Sequence, residues 1–245
     1  MSSGEIIDSQ FDFYGHRVAT CDDKGLVVVS LVEDDQIQAK SSSKFKAHIG
    51  AVHSVAWAHP KYGSILATAG QDGFIKLWSE SQGHDQNPLI KCGVRGLSWG
   101  PPLAKAELDP LIVMGQYDDQ IAIEGMRFAT ASPDDNKVII WHLISGQPKR
   151  ICDIPDHDPD FITDVAWWKG IDVTKDAIAV SRESGQVSVW TQETPYKWKL
   201  TSQITLKVPA WKLNWSEAGG LLAVTCGEDQ TKVFSCDAND KWIEI

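Results

Sequence analysis

Ala67-Thr68-Ala69-Gly70-Gln71-Asp72-Gly73-Phe74-Ile75-Lys76-Leu77-Trp78 is the stretch whose reading decides the fold. Two short runs that alternate small or apolar with polar residues flank an acidic, glycine-bearing turn, the pattern of a β-hairpin. Relatives of this hairpin recur at Ala19–Val29, Val113–Ile123, Ala129–Trp141, Ala179–Trp190 and Ala223–Phe234. Their first residues lie 48, 46, 16, 50 and 44 positions apart.

A period in the forties with four short strands per unit is the signature of a WD-repeat β-propeller, an all-β fold. Six hairpins predict six blades in a single domain spanning 1–245. The interval of 16 falls roughly 31 residues short of a period of about 47. About 30 residues are therefore expected to be missing near 123–126, because a blade without its inner strand would expose unpaired backbone and core.

Each hairpin should follow an inner strand that carries an aromatic residue. The sequence offers Gln10-Phe11-Asp12-Phe13, Ser54–Trp57, Arg95–Trp99, Asp164–Trp167 and Lys212–Trp215, all with period-2 alternation. Trp57, Trp99, Trp167 and Trp215 on these strands are expected as structural aromatics, with Trp78, Trp141 and Trp190 at the hairpin ends. Phe234 replaces the hairpin Trp in the last copy, and Leu31 or Val32 marks the corresponding place in the first.

The turn carboxylates Asp23, Asp72, Asp118, Asp135 and Asp229 can accept backbone N–H bonds and fix each reversal. His48 is placed to join Asp72, whereas Ser184 stands where the fifth copy needs an Asp.

Composition excludes several roles. A net charge of −10 opposes nucleic-acid binding and adsorption to anionic membranes. Five cysteines without C-x-x-C spacing read as free thiols of a reducing compartment. The first residues carry no basic and apolar signal pattern, and no apolar run approaches the roughly 18 residues of a membrane span. The acidic run Asp153-Ile-Pro-Asp-His-Asp-Pro-Asp160 could offer oxygen ligands, but its two prolines and place between repeats favour a solvated loop. His53 and His59 lack a third ligand at zinc spacing, and neither a nucleophile elbow nor a phosphate-cradling loop is present. No catalytic, cofactor or metal site is expected, so the chain is read as a non-enzyme.

Phe11–Cys21, Val55-Ala-Trp-Ala-His-Pro-Lys-Tyr-Gly63, Asp164–Trp167 and Trp211–Val224 together resemble the Sec-thirteen family of WD-repeat propellers. That family is shared by the COPII outer coat and the nuclear-pore Y-complex. Tyr62-Gly63 and the closing Trp211–Val224 segment favour it over the paralogous Seh-type nucleoporins.

The resemblance implies a six-bladed propeller left open between first and last blades, where a partner inserts strands as a seventh blade. Implied partners are the large COPII outer-coat subunit, a helical nuclear-pore scaffold nucleoporin and a nutrient-signalling complex. Membranes would be met only through the assembly, at the cytoplasmic face of the endoplasmic reticulum and its vesicles and at the nuclear envelope. Partner-facing residues are expected among Phe11, Phe13, Val27, Val29, Trp211, Lys212, Lys232 and Phe234, and Lys241–Ile245 should fold back toward the first blade. A generic adaptor propeller that reads a peptide or methyl-lysine at its channel mouth is the competing function class.

Overall fold

The computed structural model describes residues 4–34, 36–79, 87–91, 94–100, 126–132, 136–144, 147–156, 158–168, 176–194, 196–216, 220–228, 230–237 and 241–245. The third hairpin copy at 113–123 and most of the 123–126 junction lie outside these residues.

Among the described residues, twenty strands form five four-stranded antiparallel sheets, each built from consecutive strands. The first holds β1 (Ile6–Phe11), β2 (Arg17–Asp22), β3 (Leu26–Glu33) and β4 (Gln36–Lys46). The second holds β5 (Val52–Trp57), β6 (Ile65–Gly70), β7 (Phe74–Ser79) and β8 (Asn87–Lys91). The third holds β9 (Gly96–Trp99), β10 (Met126–Ser132), β11 (Lys137–Ile144) and β12 (Gln147–Asp153). The fourth holds β13 (Ile162–Trp167), β14 (Ala177–Arg182), β15 (Gln186–Thr194) and β16 (Lys197–Thr205). The fifth holds β17 (Ala210–Trp215), β18 (Leu221–Cys226), β19 (Gln230–Cys236) and β20 (Trp242–Glu244).

The blade count differs from the sequence expectation: the described residues hold five sheets, not six. The reason lies in one pairing. β9 pairs directly with β10, Trp99 opposite Phe128, so the inner strand at 96–99 serves the hairpin at 129–141. Hairpins alone overcounted the blades, and inner strands gave the number seen. The last segment also differs, because β20 pairs with β19 and completes its own sheet.

Registry explains why the hairpins read as they do. Leu66 faces Trp78, Phe128 faces Trp141, Ile178 faces Trp190 and Leu222 faces Phe234 across the β2–β3-type ladders. These bulky pairs point at the preceding sheet. The alternate residues, small and aliphatic, point at the following one, and large thereby meets small at each junction. Ala19, Cys21 and Val27 pack on Trp57, Leu66 and Trp78, and Ala67, Ala69 and Ile75 on Trp99 and Phe128. Ala129, Ala131 and Val138 pack on Trp167, Ile178 and Trp190, and Ala179, Val187 and Val189 on Leu213, Leu222 and Phe234. Among the described residues, four such cores join five sheets, and none joins the fifth sheet to the first. Glycines at the hairpin turns (Gly25, Gly73 and Gly185) hold φ near +80°, and a Cβ on Gly25 would meet the His48 carbonyl at 2.3 Å.

Candidate functional site: the seam between the fifth and first sheets

Inner strands have one unpaired edge, and the sequence satisfies it from the neighbouring sheet. Asp8 Oδ2 accepts the Val55 N–H at 3.0 Å and Gln10 Oε1 accepts the Trp57 N–H at 2.5 Å. Ser98 Oγ accepts the Trp167 N–H at 3.0 Å, and Asp164 Oδ2 accepts the Leu213 N–H at 3.0 Å. In return, the indoles of Trp99 and Trp215 donate to the Ala56 and Ala166 carbonyls of the preceding sheets. Trp57 and Trp167 are buried too, but their indole nitrogens find no protein acceptor.

At the seam this interlocking ends. On the fifth sheet, Leu221 and Thr225 are exposed and Ala223 half-buried, on the face opposite buried Leu222, Val224 and Cys226. Thr231, Val233 and Ser235 pair with them on β19. The corresponding faces of the inner sheets are covered by the next sheet. On the first sheet, Ile6 is 65% and Phe11 56% exposed, whereas the inner strands β9 and β13 are buried throughout. A cleft of 620 Å³ opens here and reaches the channel, lined by the inner strands of all five sheets.

The first sheet carries a second mark of the seam. Val18 faces Ser30, at the register where every other sheet sets an aromatic residue toward its predecessor. The residue corresponding to Trp78 is therefore Ser30, not Leu31 or Val32. Leu31 lies one residue past it, which reverses the face, and Val32 lies two past it.

The expected partner-facing residues separate accordingly. Val27 is fully buried in the core between the first and second sheets, and Val29 packs against the same core. Phe234 is buried between the fourth and fifth sheets. Val27 and Phe234 are interior and Val29 is half-buried because the period-2 alternation turns all three away from the seam, and Val28, Thr231 and Val233 occupy the opposite face. Phe11 and Phe13 are exposed, and Phe13 contacts Tyr14 and His59 edge-on. Trp211 is 39% exposed with its indole on the Gly227 carbonyl, and Lys232 pairs with Glu244 at 2.7 Å. Lys212 points into the channel, 3.3 Å from Asp8 and 4.0 Å from Asp164.

Burial pushes the Asp164 carboxyl up to about 6, with Lys212 opposing. Burial also works against the Lys212 ammonium, but Asp164 and Asp8 outweigh it and hold the group above the usual lysine range. Cys21, beside this cluster, is pushed up to about 12 mainly by burial.

The turn carboxylates divide as well. Asp72 accepts the Phe74 and Ile49 N–H groups and meets His48 Nδ1 at 2.8 Å. His48 Nε2 lies 2.7 Å from the Thr68 hydroxyl, which accepts the Trp78 indole N–H at 2.9 Å. In the first hairpin the turn is closed by Asp22, whose Oδ1 accepts from Lys24 and Leu26, while Asp23 takes the Glu5 N–H. The Asp23 expectation was one residue late. Asp118, Asp135 and Asp229 lie outside the described residues.

The fourth sheet builds its network differently. Trp190 donates to Ser188, Ser188 to Asp156, and buried Arg182 pairs with Asp156 at 2.6 Å. Part of the acidic run 153–160 thus serves as a structural counterion, and Ser184 receives support from Asp160. Among the described residues, no three His, Cys, Asp or Glu side chains are grouped to hold a metal ion.

Residues 39–79 match the WD domain, G-beta repeat family. The chain is 28% identical to the protein transport protein SEC13 of Yarrowia lipolytica over 291 residues, 97% of this chain and 94% of the relative. The Schizosaccharomyces pombe protein of the same name is 28% identical, covering 97% and 94%, and the Drosophila melanogaster SEC13 homolog 27%, covering 96% and 78%. The Yarrowia alignment, at 291 residues, is longer than this chain's 245, so that relative carries residues with no counterpart here. Among solved structures, a chain from "COPII on membranes, outer coat vertex" superposes with a TM-score of 0.67 at 16% identity, over 98% of this chain and 61% of that one. The Myceliophteria thermophila Cps50 (Swd1) β-propeller domain gives 0.65 at 15%, over 97% and 67%. The fold is a WD-repeat β-propeller, and SEC13 proteins of fungi and Drosophila are its relatives along nearly the whole chain.

Proposed function

We propose that this chain is a non-enzymatic scaffold subunit of the COPII vesicle coat, in which a large outer-coat partner inserts strands at the seam as an additional blade. The observation that carries this reading is the unpartnered face of the fifth sheet. Its exposed Leu221 and Thr225 stand on a surface whose equivalents in the inner sheets are buried. A sheet face and free inner edge of this kind are completed by β-strands from another chain. The likeness to SEC13 transport proteins supplies the coat, and the seam supplies the mode of assembly.

The mechanism is architectural. An inserted blade makes the propeller and its partner one rigid unit, and a stiff unit transmits curvature to a membrane that the propeller itself does not touch. The chain would work at the endoplasmic reticulum and on its vesicles.

Affinity purification of the tagged chain from cell extract, with mass identification, tests this reading. Recovery of a large coat subunit, lost on Thr225→Arg and kept on Phe13→Ala, supports it. Recovery of a helical nucleoporin scaffold through the same seam would move the assembly to the nuclear pore. Binding that survives Thr225→Arg but fails on Phe13→Ala would favour the adaptor reading at the aromatic loops.

A further inference from the structure

Five inner strands bring equivalent positions to the channel, three residues before each inner-strand aromatic. These are Asp8, Ser54, Gly96, Asp164 and Lys212. Asp8 and Asp164 do the same work, each accepting the N–H two residues before the aromatic of the next sheet. Gly96 is small because the Asp164–Val165 segment presses on it, a Cβ there meeting Val165 N at 2.7 Å and Asp164 Oδ1 at 2.8 Å. Lys212 breaks the series. An ammonium donates and cannot accept, so the fifth sheet cannot offer a following strand the bond that the first and fourth sheets offer theirs. Its Nζ instead crosses the seam to Asp8 at 3.3 Å and approaches the His53 carbonyl of the second sheet at 3.5 Å.

We propose that Lys212 is a positioning residue, a clasp at the axis that ties the fifth sheet to the first through Asp8 and sets the width of the seam. No apolar core holds these two sheets together among the described residues, so the ion pair acts where the other four junctions rely on packing. A single ion pair at a partly sheltered site is a modest interaction. That is too little to fold the propeller but enough to bias a hinge. Asp164, in the sheet that the fifth already packs against, orients the ammonium but does not cross the seam. The inference takes the seam as the partner's entry point, yet it concerns the isolated chain, so its failure and that of the coat assignment can be told apart.

Nitroxide amino acids at Thr20 and Thr231 report the seam by pulsed electron paramagnetic resonance, and a pair at Thr231 and Glu183 reports the packed junction as a control. Lys212→Met should lengthen and broaden the seam distance and leave the control distance unchanged. Asp8→Asn keeps an acceptor for the Val55 N–H and should reproduce the effect, and the double variant should add nothing further. Lys212→Arg should keep the wild-type distance, which covers the case in which the Met variant fails to fold. An unchanged seam distance in Lys212→Met and Asp8→Asn would overturn the clasp. So would an Asp164→Asn variant that opened the seam as far as Asp8→Asn.

Discussion

His48 Nδ1 and the Asp72 carboxylate lie 2.8 Å apart and join two segments that the sequence separates by 24 residues. The imidazole is buried, bonded on its other side to Thr68, and through Thr68 to Trp78. Loop, turn and hairpin end of the second sheet are thereby one polar chain. His48→Ala would leave Asp72 and Thr68 each short of a partner, which costs about 1–3 kcal/mol for a buried group left unsatisfied. Chemical denaturation should show that loss, whereas substitution of the exposed neighbour Ile49 by Ala should fall within about 0.5 kcal/mol.

The same histidine sets a pH dependence. Burial lowers the proton affinity of His48, His53 and His142, although Asp72 pulls His48 the other way. A histidine with a depressed folded-state pKa binds fewer protons folded than unfolded, so stability is lost as pH falls below about 6.5. Asp72 is held below its ordinary range: burial opposes its charge, but the His48 bond and the Ile49 and Phe74 N–H groups win. Its contribution is lost at still lower pH. The melting temperature should drop between pH 7.5 and 5.5, and His48→Gln should flatten that slope while lowering the plateau. A rising melting temperature over this range would contradict the assignment.

Asp164 carries the opposite sign. With its carboxyl raised to about 6, the folded state takes up a proton before the unfolded one does, so this group favours folding as pH falls from about 6 toward 3.8. Carbon-detected NMR of the side-chain carboxyl should find its midpoint near 6. Lys212 is the ammonium that holds it down, and Lys212→Met should move the midpoint higher. A midpoint near the ordinary aspartate value in the wild-type chain would show that Asp164 is solvated.

The seam predicts an asymmetry among core substitutions. Ile178 is fully buried between the third and fourth sheets, and Ile178→Ala should cost about 2–5 kcal/mol. Val233 sits on the uncovered side of the fifth sheet, and Val233→Ala should cost well under about 1 kcal/mol in the isolated chain. Equal losses would mean that the fifth sheet is covered on both sides.

Much of this was legible in the sequence. The Ala-x-Ala and terminal Trp spacing fixes both faces of each sheet, because small residues must meet large ones across a junction. The inner strands read at 54–57, 95–99, 164–167 and 212–215 fall within or against β5, β9, β13 and β17 and were readable from alternation alone. The blade count was not: a hairpin-like stretch at 113–123 has the local chemistry of a repeat, and only the β9–β10 ladder reveals which inner strand is whose. Val27 and Phe234 were misplaced for a related reason, since strand propensity does not say which face looks outward. Ser30 held that information, as the one hairpin end without an aromatic among the described residues, but its register had to be known first. Lys212 could be picked out as polar within an apolar strand, whereas its partner Asp8 is 204 positions away and needed the closed arrangement of strands.

Hydrogen exchange of the chain alone and bound to a COPII outer-coat subunit tests the central claim most directly. The account predicts that binding slows exchange on β1 and on the exposed side of β17–β19, with the hairpin turns of the second and fourth sheets unchanged. Protection confined to those acidic turns, or to the Phe13–Tyr14 loop, with the seam unprotected, would contradict it.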